Sequence, residues 1–176
     1  MRVLGVDPGT RFTGVGIIEE RASRYFLIHS EVIRVNDKLP IAQRLKIIHD
    51  SLSAIFHTHR PELLALENVF YGKDLRAMVK IGEARASAML AASDAGIPVV
   101  EYAPARVKQS VTGNGCATKQ QMQHMVKRLL NMKEMPPPDA ADALAVAICH
   151  LHSRRFIHVR TSERQAHRKI TDLSGA

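Results

Sequence analysis

Asp7, Glu67, Asp139 and Asp142 are the residues of this chain whose types and positions suggest chemistry. Each stands where an apolar run meets a turn or a helix start, in a chain of net charge +8. Carboxylates brought together repel, and one of them is pushed toward its neutral form unless a cation compensates. Magnesium or manganese, which prefer hard oxygen donors, would be the natural compensation. Two such ions side by side activate water and stabilise the leaving oxygen of an in-line phosphoryl displacement. An acid cluster in a basic chain therefore points to phosphodiester chemistry on a polyanion.

Each acid also has a plainer reading. Asp7 precedes Pro8 and Gly9, a good turn sequence. Glu67 ends the apolar run from Leu63 to Leu66 and would be solvated there. Asp139 and Asp142, three apart, share one helix face, and as N-cap and N3 residues they would be favoured by the helix dipole. The triple proline at 136–138 aims that helix start, and Ala140, Ala141 and Ala143 keep its surroundings small. After Glu67, Phe70 and Tyr71 fall on a loop, where aromatics either stack on bases or pack inward. Lys119 stands in the first turn of a helix, where a cation opposes the dipole and a bound phosphate would reverse the sign. Lys108 lies upstream, across the stretch Thr112-Gly113-Asn114-Gly115. Both lysines are equally readable as solvated.

The elements that must position these residues follow from periodicity. Arg2 to Val6, Gly14 to Ile18 and Tyr25 to Val35 read as three strands opening the chain as a meander. Ile41, Leu45, Ile48, Leu52 and Ile55 mark a helix from Pro40 to His59, ended before Pro61. Leu63 to Leu66 is a short buried strand that delivers Glu67. A second helix covers Leu75 to Ala95 with Gly96 as its stop, and Ile97 to Tyr102 is a fifth strand. Thr118, with Gln121 three residues on, has capping-box spacing and opens a helix striped by Met122, Val126 and Leu129. The last helix runs from Asp139 to about Arg154. This is an α/β order with a mixed five-stranded sheet, and in such sheets ligands gather at the carboxyl ends of strands, where Asp7 and Glu67 sit.

Composition sets outer bounds. The 176 residues suit one domain with a proper core. The 25 Lys and Arg against 17 Asp and Glu suit a phosphate-backbone ligand, though a merely basic surface explains them as well. Cys116 and Cys149 show no metal-ligand spacing and read as reduced thiols. No apolar stretch reaches the roughly 18 residues of a membrane span, and no signal-peptide pattern opens the chain, so a cytoplasmic location is expected. From His150 to Ile170 six Lys or Arg face one acid, Glu163, which reads as a basic, flexible tail. The expected division is one folded domain over residues 1–153 and a tail over residues 154–176.

Four blocks carry a closer likeness: LGVDPGTRFTGVGI around Asp7, LENVFYG around Glu67, EYAPARVKQSVTGNG around Lys108, and PPPDAADALAVAICH around Asp139 and Asp142. With them the chain resembles the RuvC family of bacterial Holliday-junction resolvases, in the RNase H-like nuclease superfamily. The resemblance covers roughly residues 1–153. It implies an RNase H-like fold and a homodimer that cuts opposed strands of a four-way DNA junction symmetrically, leaving 5′-phosphate and 3′-hydroxyl ends. It implies that Asp7, Glu67, Asp139 and Asp142 are the catalytic residues and hold Mg2+, two ions per subunit, with Mn2+ able to substitute. Phe70, Lys108 and Lys119 match DNA-contacting positions, with Tyr71 beside them. RuvA and RuvB, a branch-migration complex, are the implied protein partners. The helix from Leu75 to Ala95, rich in Met and Ala, is the expected dimer contact, core packing being its alternative. Two rival readings remain open on the sequence: a junction-binding module without catalysis, and a fragment of an actin-like phosphate-binding ATPase.

Overall fold

The computed structural model describes residues 1–68 and 75–154. Phe70, Tyr71 and the tail beyond Arg154 lie outside the described residues. Three strands, β1 (Arg2–Asp7), β2 (Phe12–Arg21) and β3 (Arg24–Arg34), form the opening meander. Helix α1 (Ile41–His59), strand β4 (Leu63–Glu67), helix α2 (Leu75–Asp94) and strand β5 (Val99–Tyr102) follow. Helices α3 (Pro104–Thr112) and α4 (Lys119–Leu129) and a last helix α5, residues 138–154, complete the order. The sheet runs β3-β2-β1-β4-β5, with β1 antiparallel to β2 and parallel to β4.

Strand parity sorts the core into two layers, because successive side chains point to opposite faces. Leu4, Val6, Val15, Ile17, Leu64 and Leu66 pack with α1 and α2 on one face. Val3, Ile18, Leu63 and Ala65 pack with α3, α4 and α5 on the other. Helix α5 is buried from Ala140 to Leu151 except for a half-buried Asp142, as expected of a helix apolar on every side.

Helix ends follow the local chemistry. Arg60 takes a left-handed conformation that closes α1 before Pro61. Gly96, at φ 66°, ends α2 in paired bonds, its own N–H to Ser93 and that of Ile97 to Ala92. Helix α3 was not foreseen; Pro104 at its first turn, left-handed Gly113 at its end and buried Val107 and Val111 four apart define it. Thr118 caps α4 with the full reciprocal box: its hydroxyl accepts from the Gln121 N–H while Gln121 accepts from the Thr118 N–H. Thr118→Ala is therefore expected to lower stability by about 1 kcal/mol, read as a lower denaturant midpoint at unchanged slope. No helix among the described residues is long and apolar enough to cross a membrane.

Candidate active site

Parity and register bring the acids to one place. Asp7 has the parity of Val3 and Gly5, and Glu67 that of Leu63 and Ala65, so both face the α5 layer. The parallel register pairs Gly5 with Ala65 and Val6 with Leu66; one step further sets Asp7 opposite Glu67. Helix α5 begins over this sheet end. Its first helical residue is Pro138 and its first bond runs from the Ala141 N–H to the Pro137 carbonyl, so Asp139 lies inside the first turn rather than at the cap. Asp142 follows on the same face.

Three glycines make this proximity possible. A Cβ on Gly14 would lie 1.9 Å from the Asp139 carbonyl oxygen. On Gly5 it would lie 2.0 Å from that of Ala143, and on Gly16 it would overlap Leu144. Gly5 and Gly16 are cross-strand partners, and Gly14 pairs with Asp7. None of the three has positive φ, so they serve close approach and not a turn. The strand pattern showed the glycines, but the helix they admit is a tertiary fact.

The loop after Asp7 is locked from the opposite layer. Buried Arg44 of α1 donates from Nε and Nη2 to the Thr10 carbonyl at 2.9 and 2.6 Å, and the Thr13 hydroxyl donates to the Gly9 carbonyl at 2.7 Å. Arg44 stands three residues after Ile41 and four before Ile48, in phase with the apolar stripe of α1, and that phase is the sequence signal that could have marked this strap. At the end of β4, Arg85 donates to the Glu67 carbonyl at 2.8 Å and ion-pairs with Glu101.

Electrostatics couples all four acids. Burial, and then the charges of Asp142, Glu67 and Asp139, push the Asp7 carboxyl up from 3.8 to about 7. Burial and then Asp142 raise Glu67, against the opposing pull of Lys119 and Lys108. Lys119, at the start of α4, places Nζ 3.2 Å from the Asp142 carboxylate, and that charge holds its ammonium above the ordinary lysine range. Among the described residues no three carboxylates stand close enough around one point to cage an ion in this conformation. Lys119 opposes the repulsion at both Asp7 and Glu67, and Lys108 opposes it at Glu67.

Lys108 is held by contacts invisible in sequence. Its helix, α3, is clasped to the far end of α5: Arg106 donates to the Ser153 hydroxyl at 3.0 Å, and Ser110 meets His152 at 3.1 Å. The Tyr102 hydroxyl and His150 Nδ1 are 2.8 Å apart beneath them. The structure thus brings together Asp7, Glu67, Asp139, Asp142, Lys119 and Lys108. It does not speak to Phe70 and Tyr71.

A mixed sheet in the order β3-β2-β1-β4-β5 with helices on both faces places the chain in the RNase H-like fold class, with the four carboxylates gathered at one sheet end. The chain belongs to the RuvC family: the family model described as crossover junction endodeoxyribonuclease RuvC matches residues 3–150. The crossover junction endodeoxyribonuclease RuvC of Tolumonas auensis is 47% identical over 155 residues, 88% of this chain and 89% of the relative. That of Desulforamulus reducens is 48% identical over 151 residues, 85% and 93% of the two chains. Among solved structures, T. thermophilus RuvC in complex with a Holliday junction substrate superposes with TM-score 0.84 at 36% identity, covering 89% of this chain and 96% of that one. The yeast mitochondrial Holliday junction resolvase Ydc2, at 13% identity and TM-score 0.66, shares the fold. A family match over this much of the chain favours neither the non-catalytic module nor the ATPase fragment.

Proposed function

We propose that this chain resolves four-way DNA junctions by paired symmetric nicks, with Asp7, Glu67, Asp139 and Asp142 as its catalytic carboxylates. The observation that carries the reading is geometric: parity and register aim Asp7 and Glu67 at the face on which α5 begins, and Gly14 lets Asp139 and Asp142 approach that face at backbone distance. The donor set fits a hard divalent cation, since all four donors are carboxylate oxygens and their mutual repulsion lacks a full counter-charge. We assign Mg2+ to it, two ions per subunit with Mn2+ able to substitute, which when bound supply activation of water and stabilisation of the leaving oxygen. The chain's own groups do the rest. Lys119 and Lys108 neutralise phosphate oxygens beside the cut, Phe70 and Tyr71 contact bases, and the Arg44 strap keeps Asp7 in place.

Paired nicks need two sites, hence a homodimer. Helix α2 offers a stripe for it, with Leu75, Val79 and Leu90 exposed by 73, 61 and 60% on one helical face. A second copy is the occupant that the two-fold symmetry of a four-way junction calls for. Leu90→Asp is expected to give a monomer by sedimentation, with single unpaired nicks in place of resolution. Co-operation with the RuvA–RuvB complex and a cytoplasmic location belong to the same reading.

The test is a synthetic four-way junction incubated with the wild-type chain and Mg2+, beside a linear duplex of the same sequence. Symmetric ligatable nicks in the junction alone are expected. Binding without cutting at any Mg2+ or Mn2+ concentration would sink the nuclease assignment.

A further inference from the structure

Phe12 opens β2 and is 42% exposed, although it stands at the same sheet end as the acids. Its surroundings are unusual for an exposed ring. The Arg11 guanidinium lies 5.6 Å from its centroid and that of Arg34 lies 5.5 Å away. Phe12 and Arg34 are direct cross-strand partners. Phe12 has the parity of Gly14, which meets α5, and no register shift separates the two, so the ring and Arg34 share the face that carries Asp7 and Glu67. Arg11 is tied to Asp37 at 3.2 Å, whereas no carboxylate pairs with exposed Arg34 among the described residues.

We propose that Arg34 and Phe12, steadied by Arg11, form a second DNA-contact ridge that grips the backbone of the cut strand on the side of the acids opposite Lys108 and Lys119. The ridge rests on the nuclease reading above. Neighbouring strands are about 4.8 Å apart, so β3 lies roughly 10 Å from β1 across the sheet end. Measured along a duplex axis, that distance corresponds to about three base-pair steps. The two lysines stand on α3 and α4, helices that pack in the layer of α5 and follow β5, the opposite sheet edge. A strand laid across the sheet end thus meets cations before and after the acid cluster, which holds the scissile phosphate in register instead of pinning it from one side. A guanidinium stacked on a ring keeps its N–H edge free and pre-aimed for phosphate, and the ring face suits a sugar or base.

The hairpin supplies its own comparison. At its far end Arg21 lies 5.7 Å over exposed Phe26, but Glu19 pairs with that arginine at 2.7 Å. The experiment measures binding of a fluorescent four-way junction by full-length wild type, Arg34→Ala, Arg34→Lys, Phe12→Ala and Arg21→Ala, in EDTA, from 0.05 to about 0.3 M salt. Arg34→Ala is expected to weaken binding by roughly five- to tenfold at 0.1 M salt and to reduce the salt slope by about one. Phe12→Ala weakens binding with an unchanged slope, Arg34→Lys keeps the slope, and Arg21→Ala changes neither. Equal melting temperatures verify that the variants fold, and Arg34→Ala serves if Phe12→Ala does not. Wild-type affinity and slope in both Arg34→Ala and Phe12→Ala would overturn the ridge, as would an equal loss in Arg21→Ala, which would reduce the effect to net charge. Failure of the wild type to bind any junction would instead defeat the nuclease reading and the ridge with it.

Discussion

Asp7→Asn is expected to slow junction cleavage by at least about a thousandfold, to leave junction binding intact, and to make the ion-free protein more stable above neutral pH. The rate loss follows from the position of Asp7: it is central to the acid cluster, coupled to all three other carboxylates, and an amide carries no charge for a divalent ion. Loss of about 4 kcal/mol of transition-state stabilisation is a factor near a thousand. The stability gain has the opposite origin. Burial and repulsion raise the Asp7 carboxyl from 3.8 to about 7, so its folded-state value exceeds its unfolded one. The neutral form is favoured by folding; this contribution is complete below pH 3.8 and is lost as pH rises through about 7. Asn does not titrate, so the variant escapes the loss. With residual solvent contact discounted, about 2 kcal/mol remains, or roughly 5 °C in melting temperature for a chain of this size. The melting difference in EDTA should be small near pH 4, widen to pH 7 and then stay level. Added Mg2+ should narrow it by stabilising only the wild type. A variant that cuts normally, or a melting difference independent of pH, would refute the assignment of Asp7 as the site's central carboxylate.

The order of the strands and the four acids were legible because they rest on local signals: apolar runs ended by Asp-Pro-Gly, a lone Glu after Leu-Leu-Ala-Leu, and a proline-led helix start. Thr118 with Gln121 marked its helix for the same reason, since a capping box is complete within four residues. Helix α3 escaped notice because it is only nine residues long and contains Val, Ser and Thr, which have weak helix preference. What joins the elements was less legible. Nothing local distinguishes Gly14, which lies against Asp139, from a glycine that merely interrupts a strand. Arg44 is in phase with the apolar stripe of α1, but which carbonyl it reaches is settled only when Thr10 is folded onto it. The Phe12–Arg34 pair depends on a strand register that hydrophobic alternation alone leaves open.

Gly14→Ala is the second substitution expected to act strongly, and it leaves every carboxylate in place. The new methyl would fall 1.9 Å from the Asp139 carbonyl oxygen and 2.4 Å from its carbon. Both are backbone atoms, so no side chain can swing aside. Either β2 bends away from β1 at the Asp7 pair, or the first turn of α5 lifts by about an ångström and takes Asp139 and Asp142 with it. Further along, Gly5 and Gly16 still hold α5 down through Ala143 and Leu144, so the lift is local and the fold survives. A misplacement of about 1 Å at reacting groups costs on the order of a hundredfold in rate. Cleavage of the four-way junction should fall by about that factor, with binding in EDTA changed by no more than about threefold. The more discriminating readout is ion dependence. If the glycine works by bringing the two halves of the acid cluster together, the Mg2+ concentration for half-maximal rate must rise in Gly14→Ala. A variant that lost rate only through marginal stability would instead recover at lower temperature with an unaltered Mg2+ midpoint, and the glycine stripe would then be a packing feature with no part in assembling the site.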